Sequence, residues 1–259
     1  MTDVTGLVQT FGLLSQRSLE AGRGGDARGG GESAPVVENK VWYLRQNRLF
    51  EEATGDSVDA SEHLFTTCLV PKRTRVFDLG DATRVVFLIK RGKVRVSRLT
   101  PDGKEVTVAV LGAGDLFGEE TLFTDAPRTT IATCLEETLL CTAKADDLFA
   151  LLARNPALAL NVAKVLSGRL DEASAVLEDV AYAKIPERLM HLFTRLSAEH
   201  GTPTGRGVRV DVALTHGDIA SLIGSTRETV SLELGNLVAA GKLIADGRRY
   251  IIPEPELSS

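Results

Sequence analysis

At 259 residues the chain has room for two domains, and a composition of 43% hydrophobic and 25% charged residues is that of a globular protein. No apolar run reaches the length needed to span a membrane, and no basic leader precedes an apolar segment at the start. Cys68, Cys134 and Cys141 form no disulfide framework, and the net charge of −5 excludes a polycation, so nucleic-acid binding has to come from a local surface.

Residues 1–40 read as a flexible N-terminal extension. A short amphipathic stretch between Leu7 and Leu19 is followed by a glycine-rich linker over 21–31. Trp42, Tyr43, Leu44, Leu49 and Phe50 suggest a helical segment, and 60–69 a second one. From 70 to 145 the pattern changes to short antiparallel strands. Residues 93–99 and 105–110 alternate apolar and polar, and Pro101-Asp102-Gly103 between them is a turn in which proline presets φ and glycine supplies a positive one. Turn glycines at 80, 92, 103, 112, 114 and 118 set the spacing of a barrel or jelly roll.

The alternation breaks over 115–130. A helical turn starting near Glu119 aims free backbone N–H groups at one point, and Arg128 adds a fork of donors that can grip two phosphate oxygens. Glu119 can accept a hydrogen bond from a sugar hydroxyl. The residues leave open a structural Glu119–Arg128 ion pair inside the barrel.

Residues 155–182 read as one long helix, entered through Pro156 and stopped before Pro186. Ala159, Ala163, Leu166, Leu170, Ala173, Leu177 and Val180 recur at spacings of four and three, the seam of a coiled coil, which predicts a homodimer. A core helix packed on its own domain is the alternative. Beyond it, 185–196 is an amphipathic helix, 205–214 a strand, and 215–234 a helix pair. Thr215 and Asp218 make an N-cap pair for the first helix. Ala220, Gly224 and Val230 supply the small residue, turn glycine and core aliphatic that two crossed helices need, and Ser225 or Thr226 caps the second. That is a helix-turn-helix, and 243–252, with a turn at Asp246-Gly247, is a short wing.

Phe117-Gly-Glu119 followed by Ala126-Pro-Arg-Thr-Thr130 resembles the phosphate-binding cassette of cyclic-nucleotide-binding domains. With the long helix and the C-terminal segment, residues 41–252 resemble the cAMP receptor protein/FNR family of transcription regulators. The resemblance implies an α+β chain with four parts: the extension (1–40), a cyclic-nucleotide-binding-like jelly roll (41–154), a dimerisation helix (155–183) and a winged helix-turn-helix (184–259). It implies that Gly118 and Glu119 meet ribose and phosphate, that Arg128 and Thr129 hold a cyclic phosphate, and that Ser174 reaches adenine partly across the dimer. It implies that Arg227 and Glu228 read bases while Ser225, Thr226 and Ser231 hold phosphates, and Arg248 in the wing is a further DNA-contact candidate. The implied partners are palindromic double-stranded DNA, a second copy of the chain and RNA polymerase, in the cytoplasm, with no metal and with cAMP as effector.

Two residues depart from the family pattern at the pocket: Ala173 replaces a frequent hydroxyl, and Glu120 replaces an apolar residue beside the anion site. Two more do so on the second helix, Leu232 in place of a base-reading arginine and Glu233 at a position normally buried. The scattered cysteines give no iron–sulfur site, and no nucleophile–base pair or P-loop suggests an enzyme. A ligand-independent activator, or a nucleotide-binding module of a partner enzyme, are the alternatives.

Overall fold

A computed structural model describes residues 47–51 and 61–254. The expectations for 1–40, for Trp42 to Leu44 and for residue 60 lie outside the described residues.

Eight strands form two four-stranded antiparallel sheets. One has the order β1 (Thr66–Val70), β8 (Thr138–Lys144), β3 (Val85–Arg91), β6 (Leu116–Phe117); the other has β2 (Arg75–Phe77), β7 (Ile131–Cys134), β4 (Val94–Leu99), β5 (Glu105–Leu111). Phe77, Val94 and Ala132 of one sheet meet Phe87, Ile89 and Leu140 of the other across the interior. Alternate residues of β3 face opposite ways, as a period of two requires. Val86 and Leu88 instead point out, under Phe50, Phe65 and the helices α1 (Ala145–Arg154) and α2 (Pro156–Tyr182). This central strand is therefore covered on both faces.

The segment 60–69, expected as helix, is a single turn over Glu62–Leu64 that gives way to β1. Thr66, Thr67 and Val70 are β-branched, and register with β8 from Thr66–Thr142 to Val70–Thr138 overrides the weak helical pattern. α1 has no counterpart among the expected elements. Asp146 and Asp147 favour its first turn, and Ala145, Leu148 and Leu152 bury its inner face.

α2 runs unbroken for 27 residues. Its N-terminal half packs on the barrel through Leu158, Val162 and Leu166, and Asn161 donates to the Leu49 carbonyl at 3.1 Å. A proline in its first turn costs no hydrogen bond, because that N–H has no helical partner in any case.

The C-terminal unit begins with α3 (Ile185–His200). A sheet of order β9 (Gly201–Thr204), β10 (Gly207–Val210), β12 (Arg249–Ile252), β11 (Ile244–Asp246) packs with α3, α4 (His216–Ile223) and α5 (Arg227–Ala239) around Leu192, Phe193, Ile219, Val230 and Leu234. Val110 of β5 belongs to this same core, so the two units share apolar surface.

Candidate functional site

Gly118 ends β6 with φ at 75°, a left-handed conformation that glycine adopts without strain. A Cβ there would also stand 2.9 Å from the Arg128 guanidinium. The chain then makes a 3-10 turn over Glu119–Leu122, held by the Thr121 hydroxyl donating to the Gly118 carbonyl at 2.9 Å. Arg128 is strapped to the loop before β3: its N–H donates to the Asp81 carbonyl at 2.8 Å, and its own carbonyl accepts from Gly80 at 2.9 Å. Arg84 braces the turn from outside, donating to the Thr121 carbonyl at 3.1 Å and pairing with Asp125 and with Asp146 of α1.

The Arg128 side chain points inward, and the residue is 1% exposed. It donates to the carbonyls of Gly118 (2.9 Å) and Val85, lies over the Phe77 ring at 4.3 Å from its centre, and pairs with Glu120 at 2.7 Å. Glu119 pairs instead with Arg169 of α2, which also donates to the Leu116 carbonyl. The Glu119–Arg128 ion pair left open by the sequence does not form. Each of the two adjacent carboxylates has its own arginine.

A cavity of about 810 Å³ opens beside this turn. Gly118, Glu119, Glu120 and Thr129 form its cassette wall, and Lys164, Gly168, Arg169 and Ala173 its α2 wall. Leu192, Arg195, Leu196 and Leu222 of the C-terminal unit close its far end. Gly118, Glu119 and Thr129 are thus brought together as expected, while Arg128 sits behind them. Ser174 stands on the exposed side of α2 with its hydroxyl donating to the Leu170 carbonyl at 2.9 Å, away from this cavity. At the far end burial raises the Glu199 carboxyl to about 6, helped by the negative charges of Glu172 and Asp115.

Asp218 joins the two units. One carboxylate oxygen accepts from Thr215 N–H (2.9 Å) and hydroxyl (2.6 Å), capping α4. The other accepts from Thr107 of β5 at 2.8 Å and from Arg95 of β4 at 2.9 Å. Burial pushes this carboxyl up, but the donors from Thr215, Thr107 and Arg95 together outweigh it and hold the group below its ordinary value. Arg95 reaches on to Glu105 at 2.7 Å.

Gly224 turns the chain between α4 and α5 with φ at 64°, and the Thr226 hydroxyl accepts from Thr229 N–H at 3.2 Å to cap α5. Thr226, Arg227, Glu228 and Ser231 are exposed along one side of α5 and Ser225 is half-buried. Arg248 is exposed at the tip of the β11–β12 wing, which turns at Gly247. His216 ties the surface together, its Nδ1 lying 2.7 Å from the Ser231 hydroxyl and its Nε2 3.3 Å from the Tyr250 hydroxyl. Leu232 is 64% exposed, and Glu233 is half-buried, accepting from the Asn236 amide at 3.2 Å.

Two family models match: a cyclic nucleotide-binding domain over residues 68–155 and a Crp-like helix-turn-helix domain over 187–257. The chain is 31% identical over 186 residues to a CRP-like cAMP-activated global transcriptional regulator of Mycobacterium tuberculosis, covering 72% of this chain and 83% of that one. The chain belongs to the Crp/Fnr family of transcription regulators. The cyclic AMP receptor protein of Thermus thermophilus is 31% identical over 198 residues, which is 76% of this chain and 88% of the relative. Among solved structures, the c-di-GMP responsive regulator CLP of Xanthomonas campestris has a TM-score of 0.67 at 22% identity, covering 78% of this chain and all of that one. That similarity speaks for the fold. This family member is a DNA-binding transcription regulator with a cyclic nucleotide-binding domain.

Glu120, Arg169, Arg84 and His216 are site residues that sequence reasoning either left out or placed without their partners. Arg169 sits 50 positions from Glu119, so no local spacing could have linked them.

Proposed function

We propose that this regulator acts as a homodimer on palindromic double-stranded DNA and takes a cyclic purine nucleotide, cAMP foremost, in its sensor cavity. One observation carries the reading: a single cavity of about 810 Å³ is walled by the cassette, by α2 and by the C-terminal unit. That size lies within the roughly 300–1,000 Å³ of small-molecule sites. A ligand touching all three walls binds one placement of the C-terminal unit better than another and shifts their populations. The relatives named for cAMP support the choice of ligand.

Dimerisation uses the outer face of α2. Leu170 and Leu177 are 67% and 71% exposed, Ala163 and Ala173 are exposed beside them, and Ala173 and Leu177 also border the cavity. Val180 is half covered, and Leu166 leans toward the barrel core. An apolar stripe of this kind on a long helix is the seam of a two-stranded coiled coil. Two copies of α5 then enter successive major grooves about 34 Å apart. RNA polymerase is the partner in transcription, the cytoplasm the compartment, and binding of ligand and DNA the whole activity, with no catalysis.

The test is the affinity of the full chain for its DNA site, followed by fluorescence anisotropy, with and without cAMP or cGMP. A change of about fivefold or more with one of them is expected, the usual size of an allosteric coupling. Identical affinity under all conditions favours the second reading, a ligand-independent regulator. That reading has its own observation: Arg128 and Glu119 already have partners from within the chain.

A further inference from the structure

We infer that Glu120 is a tethered anion that holds the phosphate-gripping arginine of the cassette, so that an anionic ligand binds by exchange with it. This rests on the cyclic-nucleotide reading of the cavity and assigns a residue that sets affinity within it. Arg128 has no exposed guanidinium surface: its side chain is 0% accessible. Its Nη1 is divided between the Gly118 carbonyl at 2.9 Å and the Glu120 carboxylate at 2.7 Å, its Nη2 is taken by the Val85 carbonyl, and Phe77 covers one face. Two of these partners are backbone and the third is a ring in the barrel core. Glu120 alone is a mobile charge, with a side chain 38% exposed on the cavity wall.

A cyclic phosphate approaching from the cavity meets the Glu120 carboxylate before it meets the guanidinium. Two anions cannot share one Nη without strong repulsion, so Glu120 has to swing aside. The exposed part of its side chain gives it a path to solvent. Ligand binding therefore includes the cost of breaking an ion pair with a buried arginine, and the affinity of the natural chain is lower than that of a cassette lacking this carboxylate. Glu119 is not the competitor, because Arg169 holds it on the other side of the turn.

Calorimetric titration of cAMP into the full-length wild type, Glu120→Gln and Glu120→Ala tests the exchange. Glu120→Gln keeps the length and an acceptor oxygen, which protects the fold. Both variants are expected to bind about tenfold tighter or more, and the gain should disappear when Arg128→Ala is added. Wild-type binding with no gain in either variant overturns the proposal and leaves the cyclic-nucleotide reading standing. If no variant binds cAMP or cGMP, that reading falls. Phenylglyoxal labelling of Arg128, followed by mass spectrometry, then decides for Glu120 separately. Labelling about tenfold faster in Glu120→Ala supports the tethered anion, and equal rates overturn it.

Discussion

A buried guanidinium is costly unless every donor has an acceptor, and Arg128 nearly meets that demand with two carbonyls, one carboxylate and an aromatic face. Its role is therefore double. Arg128→Ala should weaken cyclic-nucleotide binding by about ten- to a hundredfold or more, since a charge-assisted contact contributes about 1.5–3 kcal/mol. It should also destabilise the barrel, by about 1–3 kcal/mol for each carbonyl left unpaired; calorimetry and urea denaturation read the two effects separately. Glu199 gives a prediction of opposite sign. Its carboxyl is raised from 4.5 to about 6, so folding favours the protonated form. That contribution is fully present below 4.5 and is lost as pH rises through about 6. Because Glu199 is exposed and solvent screens its charge, Glu199→Gln should stabilise the protein by no more than about 1 kcal/mol at pH near 7.5, with the difference closing in denaturation runs near pH 4.5. The glycine, the glutamate and the arginine were singled out through the resemblance to the phosphate-binding cassette, and the structure places Gly118 and Glu119 on the cavity wall with Arg128 behind them. Which of two neighbouring carboxylates faces Arg128 was not legible, because it depends on the left-handed Gly118 and the tight turn after it.

Among the elements, α2 carries the most. Its first half is a core helix, so the core reading of its periodicity holds for that side, while its outer face is the exposed apolar stripe on which the proposed dimer rests. Leu170→Glu should split the dimer by facing like charges across an apolar seam, and sedimentation at micromolar concentration should show a monomer. The α4–β5 contact is the second such element. Asp218→Ala removes the carboxylate half of the α4 capping box together with the Thr107 and Arg95 bonds, and should cost about 1–3 kcal/mol. Because this carboxyl is held below its ordinary 3.8, its contribution is fully present above that pH and is lost as pH falls through the lower folded value. Urea midpoints of wild type and variant should therefore converge in acid. The long helix, the 94–111 hairpin, the helix-turn-helix and the wing were all written in local pattern. α1 was not, since the outward Phe149, 51% exposed, blurs its stripe, and β1 was misread because pairing with β8 decides it.

On the scale of the whole molecule, the C-terminal unit is docked on the barrel through Val110 and the Asp218 bonds, while its DNA face remains exposed. Docking of this kind lies beyond sequence reading, because Thr107 and Asp218 are 111 positions apart. The chain carries nine Lys/Arg and nine Asp/Glu from residue 182 onward, on a total charge of −5. Affinity for DNA must then come from a few placed contacts, doubled in the proposed dimer, more than from bulk charge. Arg227, the first long donor past the cap of α5, is the contact on which sequence preference should turn. Selection from randomised DNA at one salt concentration measures this directly. The wild type should select a two-fold symmetric site with half-site centres roughly 10 base pairs apart, and Arg227→Ala should relax one position in each half at a cost of about 1–3 kcal/mol per half-site. Selection of no symmetric site by the wild type, or of the same site with equal stringency by the variant, would contradict a dimeric regulator reading DNA through α5.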